Sequence, residues 1–146
     1  MLKESGRILA VDPGEKRIGL AISDPTQTIA SPFKVLFSQS CKKNAQKILK
    51  IARDQGVVLI LIGQPLHWDG VESTQARQSQ NLAGFIEEFG AIPVELVNEY
   101  GTTQAARETR IKMNVSRKKR AGHLDDLAAT ILLQNFLESS DTGELE

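Results

Sequence analysis

A mixed α/β sheet with helices on both faces is the fold class this sequence predicts, and three observations predict it. Strand-like segments follow one another at the start with only short turns between them. The middle alternates helical and strand periodicity, and the last long apolar stripe is helical.

Taken in order, Arg7 to Asp12 is a short apolar run ending in a carboxylate ahead of Pro13-Gly14, which predicts a strand and a tight turn. In Arg17 to Asp24, Ile18, Leu20 and Ile22 alternate with small or polar residues, the period-two pattern of a strand with one buried face. Thr28 to Phe37 is apolar with β-branched and aromatic content, and Pro32 marks it as an edge strand or a bulged one. Three strands this closely spaced predict an antiparallel meander. Ala45, Ile48, Ile51 and Ala52 then recur at helical spacing, with Lys43, Lys47 and Lys50 forming a basic outer face.

Val57 to Gly63 is a continuous apolar, β-branched run, too short for a typical helix, which reads as a central strand buried on both faces. Leu82, Phe85, Ile86 and Phe89 mark a second helix, and Pro93 to Val97 forms a fifth strand whose end carries Asn98-Glu99. Thr102 is a good N-cap for a helix running toward Lys112, and a polar, basic stretch follows from Asn114 to Gly122. The last helix shows Leu124, Leu127, Ala128, Ile131 and Leu132 on one stripe. One domain is expected over residues 1–138, with 139–146 a disordered acidic tail.

Composition narrows the function classes. The apolar runs fall far short of the roughly 20 residues a membrane span needs, and MLKESGR has no apolar stretch of the signal-peptide kind, so a cytoplasmic protein is expected. Cys41 is the single cysteine, which excludes an internal disulfide and a cysteine zinc cluster; its polar surroundings, SQSCKKN, argue against a nucleophile. The formal net charge is zero, but it is unevenly spread. Seven basic residues stand between Arg107 and Arg120 against Glu108 alone, whereas Ala121 to Glu146 holds six acidic residues and no basic one. Local field, not net charge, governs any attraction to a polyanion.

Three carboxylates are the candidate site. Asp12 follows a buried strand, and ligands of open α/β sheets gather at the carboxyl ends of parallel strands. Glu99 lies just past the end of the fifth strand, so if the two strands run parallel both carboxylates emerge on one rim. Asp125, in the first turn of the last helix, borders the apolar stripe and can reach that rim. Carboxylates so gathered repel one another, and the usual resolution is a divalent cation with oxygen ligands, Mg²⁺ or Mn²⁺. Such sites hydrolyse phosphodiesters, with two ions about 4 Å apart serving the attacking and leaving oxygens. Taken singly, Asp12 also suits a turn and Asp125 a helix dipole; it is their convergence that points to a metal.

Nucleic acid as the partner agrees with the basic residues. Arg117, Lys118, Lys119 and Arg120 lie immediately upstream of Asp125, and Lys16 and Arg17 stand in the turn after Asp12, where both groups can contact phosphates. With one Trp and one Tyr, stacking platforms for unpaired bases look sparse, Trp68 being the one candidate.

Four segments, VDPGEKRIGLAISD (11–24), IGQPLHWDG (62–70), VNEYGTTQAA (97–106) and LDDLAATILLQNFL (124–137), together resemble the YqgF/RuvX family, Holliday-junction resolvase relatives also described as nucleases maturing the 5′ end of pre-16S rRNA. The resemblance runs from about Arg7 to Leu137. It implies an RNase H-like five-stranded sheet and carries the family's carboxylates onto Asp12, Glu99 and Asp125. The family's third motif reads Asp-Glu-Arg, whereas this chain has Asn98-Glu99-Tyr100, and Asp126 stands where the family often has serine.

The resulting expectation is a metal-dependent endonuclease acting on structured RNA in ribosomal RNA maturation. Resolution of branched DNA is the near alternative, and would call for a symmetric dimer because a four-way junction offers two equivalent cleavage points. A non-catalytic nucleic-acid-binding or assembly factor with the same fold is a third. A sugar-kinase or actin-type ATPase is disfavoured, because 146 residues make one lobe and those proteins close two over the nucleotide.

Overall fold

The computed structural model describes residues 5–14, 16–64, 74–98 and 124–144. Five strands form one sheet in the order β3-β2-β1-β4-β5, with β1 at Arg7–Pro13, β2 at Arg17–Ser23, β3 at Ala30–Phe37, β4 at Val57–Gln64 and β5 at Val94–Asn98. β2 runs antiparallel to both of its neighbours, β1 and β3, which is the predicted meander, whereas β4 is parallel to both β1 and β5. Helices α1 (Cys41–Gln55), α2 (Thr74–Phe89) and α3 (Leu124–Glu144) complete the described elements.

Alternation along the strands divides the core into two layers. Leu9, Val11, Ile18, Leu20, Ile60 and Ile62 face α1 and α2, which contribute Ile48, Leu49, Leu82 and Ile86. Ile8, Ala10, Ala21, Leu59 and Leu61 face α3, which contributes Ala129, Leu132, Leu133 and Leu137. Ala10 and Ala21, the small residues on the sheet side of the second layer, leave room for the helix to approach there.

α1 forms as its sequence indicates. Ser40 caps it by accepting from the Lys43 amide, Gly56 ends it in the left-handed conformation with φ 70°, and Lys43, Lys47 and Lys50 face outward. Asn44, buried at its base, ties down the β3–α1 connection by accepting from the Gln39 amide at 2.9 Å and donating to the Gln39 carbonyl and the Ser38 hydroxyl.

Several boundaries differ from those expected. β1 runs through Pro13, so Asp12 lies inside the strand, opposite Gly19, and not ahead of the turn. Pro13 is tolerated because it stands beyond the last β1–β4 rung, Val11 with Ile62, where no ladder bond needs its missing N–H. β2 is buried on both faces, because α3 covers Ala21 on the side expected to meet solvent. β3 is an edge strand and also carries the register shift expected of Pro32.

On α3 the expected Leu127, Ile131 and Leu132 are buried, Ala128 is only half-buried, and the residues packed on the sheet are Ala129, Leu132, Leu133 and Leu137 with Phe136 beside them. The helix runs from Leu124 to Glu144. The helix expected from Thr102 and the basic stretch from Asn114 lie outside the described residues.

Candidate metal-binding and nucleic-acid site

Asp12 is half-buried in the last part of β1. It alternates with Ile8 and Ala10, so it stands on the sheet face that α3 covers. Its partner across β2 is Gly19. On the other side, continuing the register of Val11 with Ile62 brings Gly63 alongside. Asp12 is therefore flanked on both neighbouring strands by glycines, so no side chain of β2 or β4 stands directly beside it on that face. Of the carboxylates read from the sequence, this is the one whose side chain the structure describes, and among the described residues no group of three or more His, Cys, Asp or Glu is assembled.

The parallel arrangement of β1, β4 and β5 brings the carboxyl ends of all three to one rim. β5 ends there at Asn98, paired with Gln64, two strands from Asp12 and thus about 10 Å away laterally. Val97 faces α3, on Asp12's side of the sheet. Glu99, the residue after Asn98, lies outside the described residues, as do Arg117, Lys118, Lys119 and Arg120.

α3 places its first turn at the same rim. Gln134 on α3 accepts from the Ala30 amide at 3.0 Å, at the opposite end of the sheet, where Ala30 pairs with Ser23 and β1 begins. Position 125 is nine residues nearer the helix start, about 13 Å at 1.5 Å per residue. Asp12 is four residues along β1 from Ile8, also about 13 Å. Position 125 also falls one turn before Ala129 and two before Leu133, on the stripe that meets the sheet. The backbone thus carries Asp12, the end of β5 and position 125 toward one edge.

Lys16 in the β1–β2 connection and Arg17 at the start of β2, both exposed, stand at that edge as well, and the Ser38 amide donates to the Lys16 carbonyl at 2.9 Å. Gly14 makes this tight turn possible, since a Cβ there would lie 2.6 Å from the Arg17 carbonyl oxygen. The Lys16 and Arg17 side chains are both exposed, and among the described residues neither is paired with a carboxylate.

A pocket of about 90 Å³ opens on the opposite face, between Pro13, Cys41, Asn44 and Gln78. It lies on the α1–α2 side, away from Asp12. Burial pushes the Cys41 thiol up, in keeping with the expectation that it is no nucleophile.

Two features of the site escaped the sequence reading. Gly19 follows from hairpin pairing, since Asp12 with Gly19 and Pro13 with Ile18 are symmetric about the turn. Gly63 had no such signal, because the register between parallel strands depends on the intervening crossover.

An antiparallel meander extended by two parallel strands, with a carboxylate on the rim of the first strand and a helix laid across that face, is the architecture of the RNase H-like nucleases. Among solved structures, the fold is similar to the T. thermophilus RuvC in complex with a Holliday junction substrate, with a TM-score of 0.57 and 17% identity over 92% of this chain and 96% of that one. It is likewise similar to the fowlpox virus resolvase bound to Holliday junction DNA, with a TM-score of 0.55 and 19% identity over 91% and 97%.

The chain belongs to the RuvX family, whose model, described as Holliday junction resolvase, matches residues 6–139. Relatives named "Putative pre-16S rRNA nuclease" include those of Prosthecochloris aestuarii, 42% identical over 96% of this chain and 99% of the relative, and Roseiflexus sp., 36% identical over 95% and 99%. Among the described residues no helix is long and apolar enough to cross a membrane.

Proposed function

We propose that this protein is a metal-dependent endonuclease that hydrolyses phosphodiester bonds in structured nucleic acid, acting in the cytoplasm on the 5′ end of the 16S rRNA precursor. The observation that carries the reading is Asp12 on the α3-facing side of the sheet, at the rim shared by three parallel strand ends and the start of α3. The names of relatives matched over nearly their whole length support the RNA substrate.

Asp12, Glu99 and Asp125 would hold Mg²⁺ or Mn²⁺. Asp12 fits this role as a hard oxygen donor with a glycine on each side. When bound, one or two such ions supply an activated water and offset the charge that builds on the phosphate. The protein's own part is to bind and orient. Lys16 and Arg17 hold phosphates beside Asp12, and Arg117, Lys118, Lys119 and Arg120 extend that contact. Asn98 takes the place of a carboxylate at the end of β5 and offers a neutral oxygen.

The test is cleavage of a 5′-extended 16S rRNA precursor and a synthetic four-way DNA junction, side by side, with Mg²⁺ or Mn²⁺. Cleavage of the RNA by the wild type, and loss of more than about 100-fold in Asp12→Asn, is expected. Cleavage of the junction alone would transfer the activity to branched DNA, for which the family's description argues. Metal binding by calorimetry that is equally strong in wild type and Asp12→Asn would remove the nuclease reading.

A further inference from the structure

Three large apolar side chains are exposed among the described residues: Ile29, Phe37 and Leu96. Isolated exposed apolar residues are common and call for no explanation by themselves. Their positions separate them. Ile29 precedes β3 at the end of the sheet opposite Asp12. Leu96 pairs with Ile62 and so is turned to the α1–α2 side. Phe37, 73% exposed at the end of β3, shares both the rim and the face of Asp12. Its neighbour Leu36 pairs with Ile18 and packs with the α1–α2 layer, so Phe37 and its cross-strand partner Arg17 turn the other way, with Gly19 and Asp12.

Two strand spacings and two residues along the strand separate Phe37 from Asp12, about 12 Å between Cα atoms. The aromatic ring thus stands beside the exposed Arg17, with Lys16 adjacent, within a nucleotide or two of any phosphate held at Asp12. An exposed ring flanked by cations suits an unstacked base with its phosphates, and every base has a face to stack. The complementary charge of Arg17 and Lys16 argues for this occupant over a purely apolar partner.

Resting on the nuclease reading above, we propose that Phe37 is a stacking platform for an unpaired base next to the scissile phosphate, with Arg17 holding that nucleotide's phosphate. The enzyme then prefers nucleic acid with a single-stranded segment at the cleavage point over a continuous duplex.

The probes are an RNA stem with a short single-stranded 5′ extension containing 2-aminopurine, and the same stem blunt-ended, with binding measured without divalent metal so that nothing is cleaved. Phe37→Ala is expected to weaken binding of the extended RNA about ten-fold and leave the blunt stem unchanged, while Phe37→Trp restores affinity and quenches the 2-aminopurine. Undiminished binding of the extended RNA by Phe37→Ala, or an equal loss on both RNAs, would overturn the proposal. So would a change in sedimentation of Phe37→Ala from dimer to monomer, which would make the ring a contact between copies of the chain. A wild type that binds neither RNA would bring down the nuclease reading itself, whereas one that cleaves normally yet ignores the Phe37 substitution would bring down the platform alone.

Discussion

Ser79 offers the sharpest test of how the rim is held in place. It is fully buried on α2, and its hydroxyl donates to the Gly63 carbonyl at 2.7 Å, tying the helix to the end of β4 that lies next to Asp12's strand. Ser79→Ala removes a single oxygen, so it creates almost no cavity, but it takes a donor from a buried carbonyl. Leaving such an acceptor unsatisfied costs about 1–3 kcal/mol. A chain of 146 residues unfolds with an entropy of about 0.3 kcal/mol/K, so Tm should fall by about 3–10 °C. Urea unfolding followed by far-UV circular dichroism measures the loss directly, with an unchanged m-value showing that the same surface is exposed. Lys50→Ala is the control, since the Lys50–Asp54 pair is exposed and i,i+4 along α1, and such pairs contribute less than about 0.5 kcal/mol. A Ser79→Ala loss no larger than the control's would refute the argument that this hydroxyl anchors the rim. At a temperature where both variants are fully folded, nuclease activity should fall in Ser79→Ala and not in Lys50→Ala.

Other outcomes follow from the same geometry. Leu133→Ala, in the layer between α3 and the sheet, should cost about 2–5 kcal/mol in denaturant titration, since rigid neighbours cannot collapse into the space left. Gly14→Ala should destabilise by about 1–3 kcal/mol, because the added methyl would press on the Arg17 carbonyl; an unchanged midpoint would mean that the turn relaxes freely. Asp24 is held well below the usual carboxylate range, first by the Ile29 amide, then by the Thr26 hydroxyl and the Thr28 amide. A carboxylate with a lowered folded pKa adds stability above its unfolded value and loses it as pH falls. The stability difference between wild type and Asp24→Ala should therefore be full at pH 7 and shrink below about pH 4; a difference independent of pH would refute the assignment. Neutralising Lys16 and Arg17 together should lower the slope of log affinity for duplex against log salt by roughly two, and an unchanged slope would take these residues off the phosphate path.

Much of this was readable along the chain, because it depends on local pattern. Ile18, Leu20 and Ile22 declare a strand by their period, Ser40 and Gly56 punctuate α1 through backbone chemistry, and the unbroken run of β4 shows a strand covered on both sides. Asp12, Glu99 and Asp125 could be singled out as candidates for the same reason, since each lies near the end or the start of an element whose type the pattern shows. What the pattern could not supply is the distance between elements. Only the fold decides that β1, β4 and β5 run parallel and share a rim, that α3 lies antiparallel to β1 with its first turn level with Asp12, and that glycines stand on both sides of that carboxylate. Phe37 shows the limit most plainly. A bulge near Pro32 shifts the register by one, and because side chains alternate with period two, that shift decides whether the ring faces the α1–α2 core or stands exposed beside Asp12. Local sequence determined which elements form and which residues have chemistry to offer; long-range pairing, set by how whole faces bury one another, decided which of them meet.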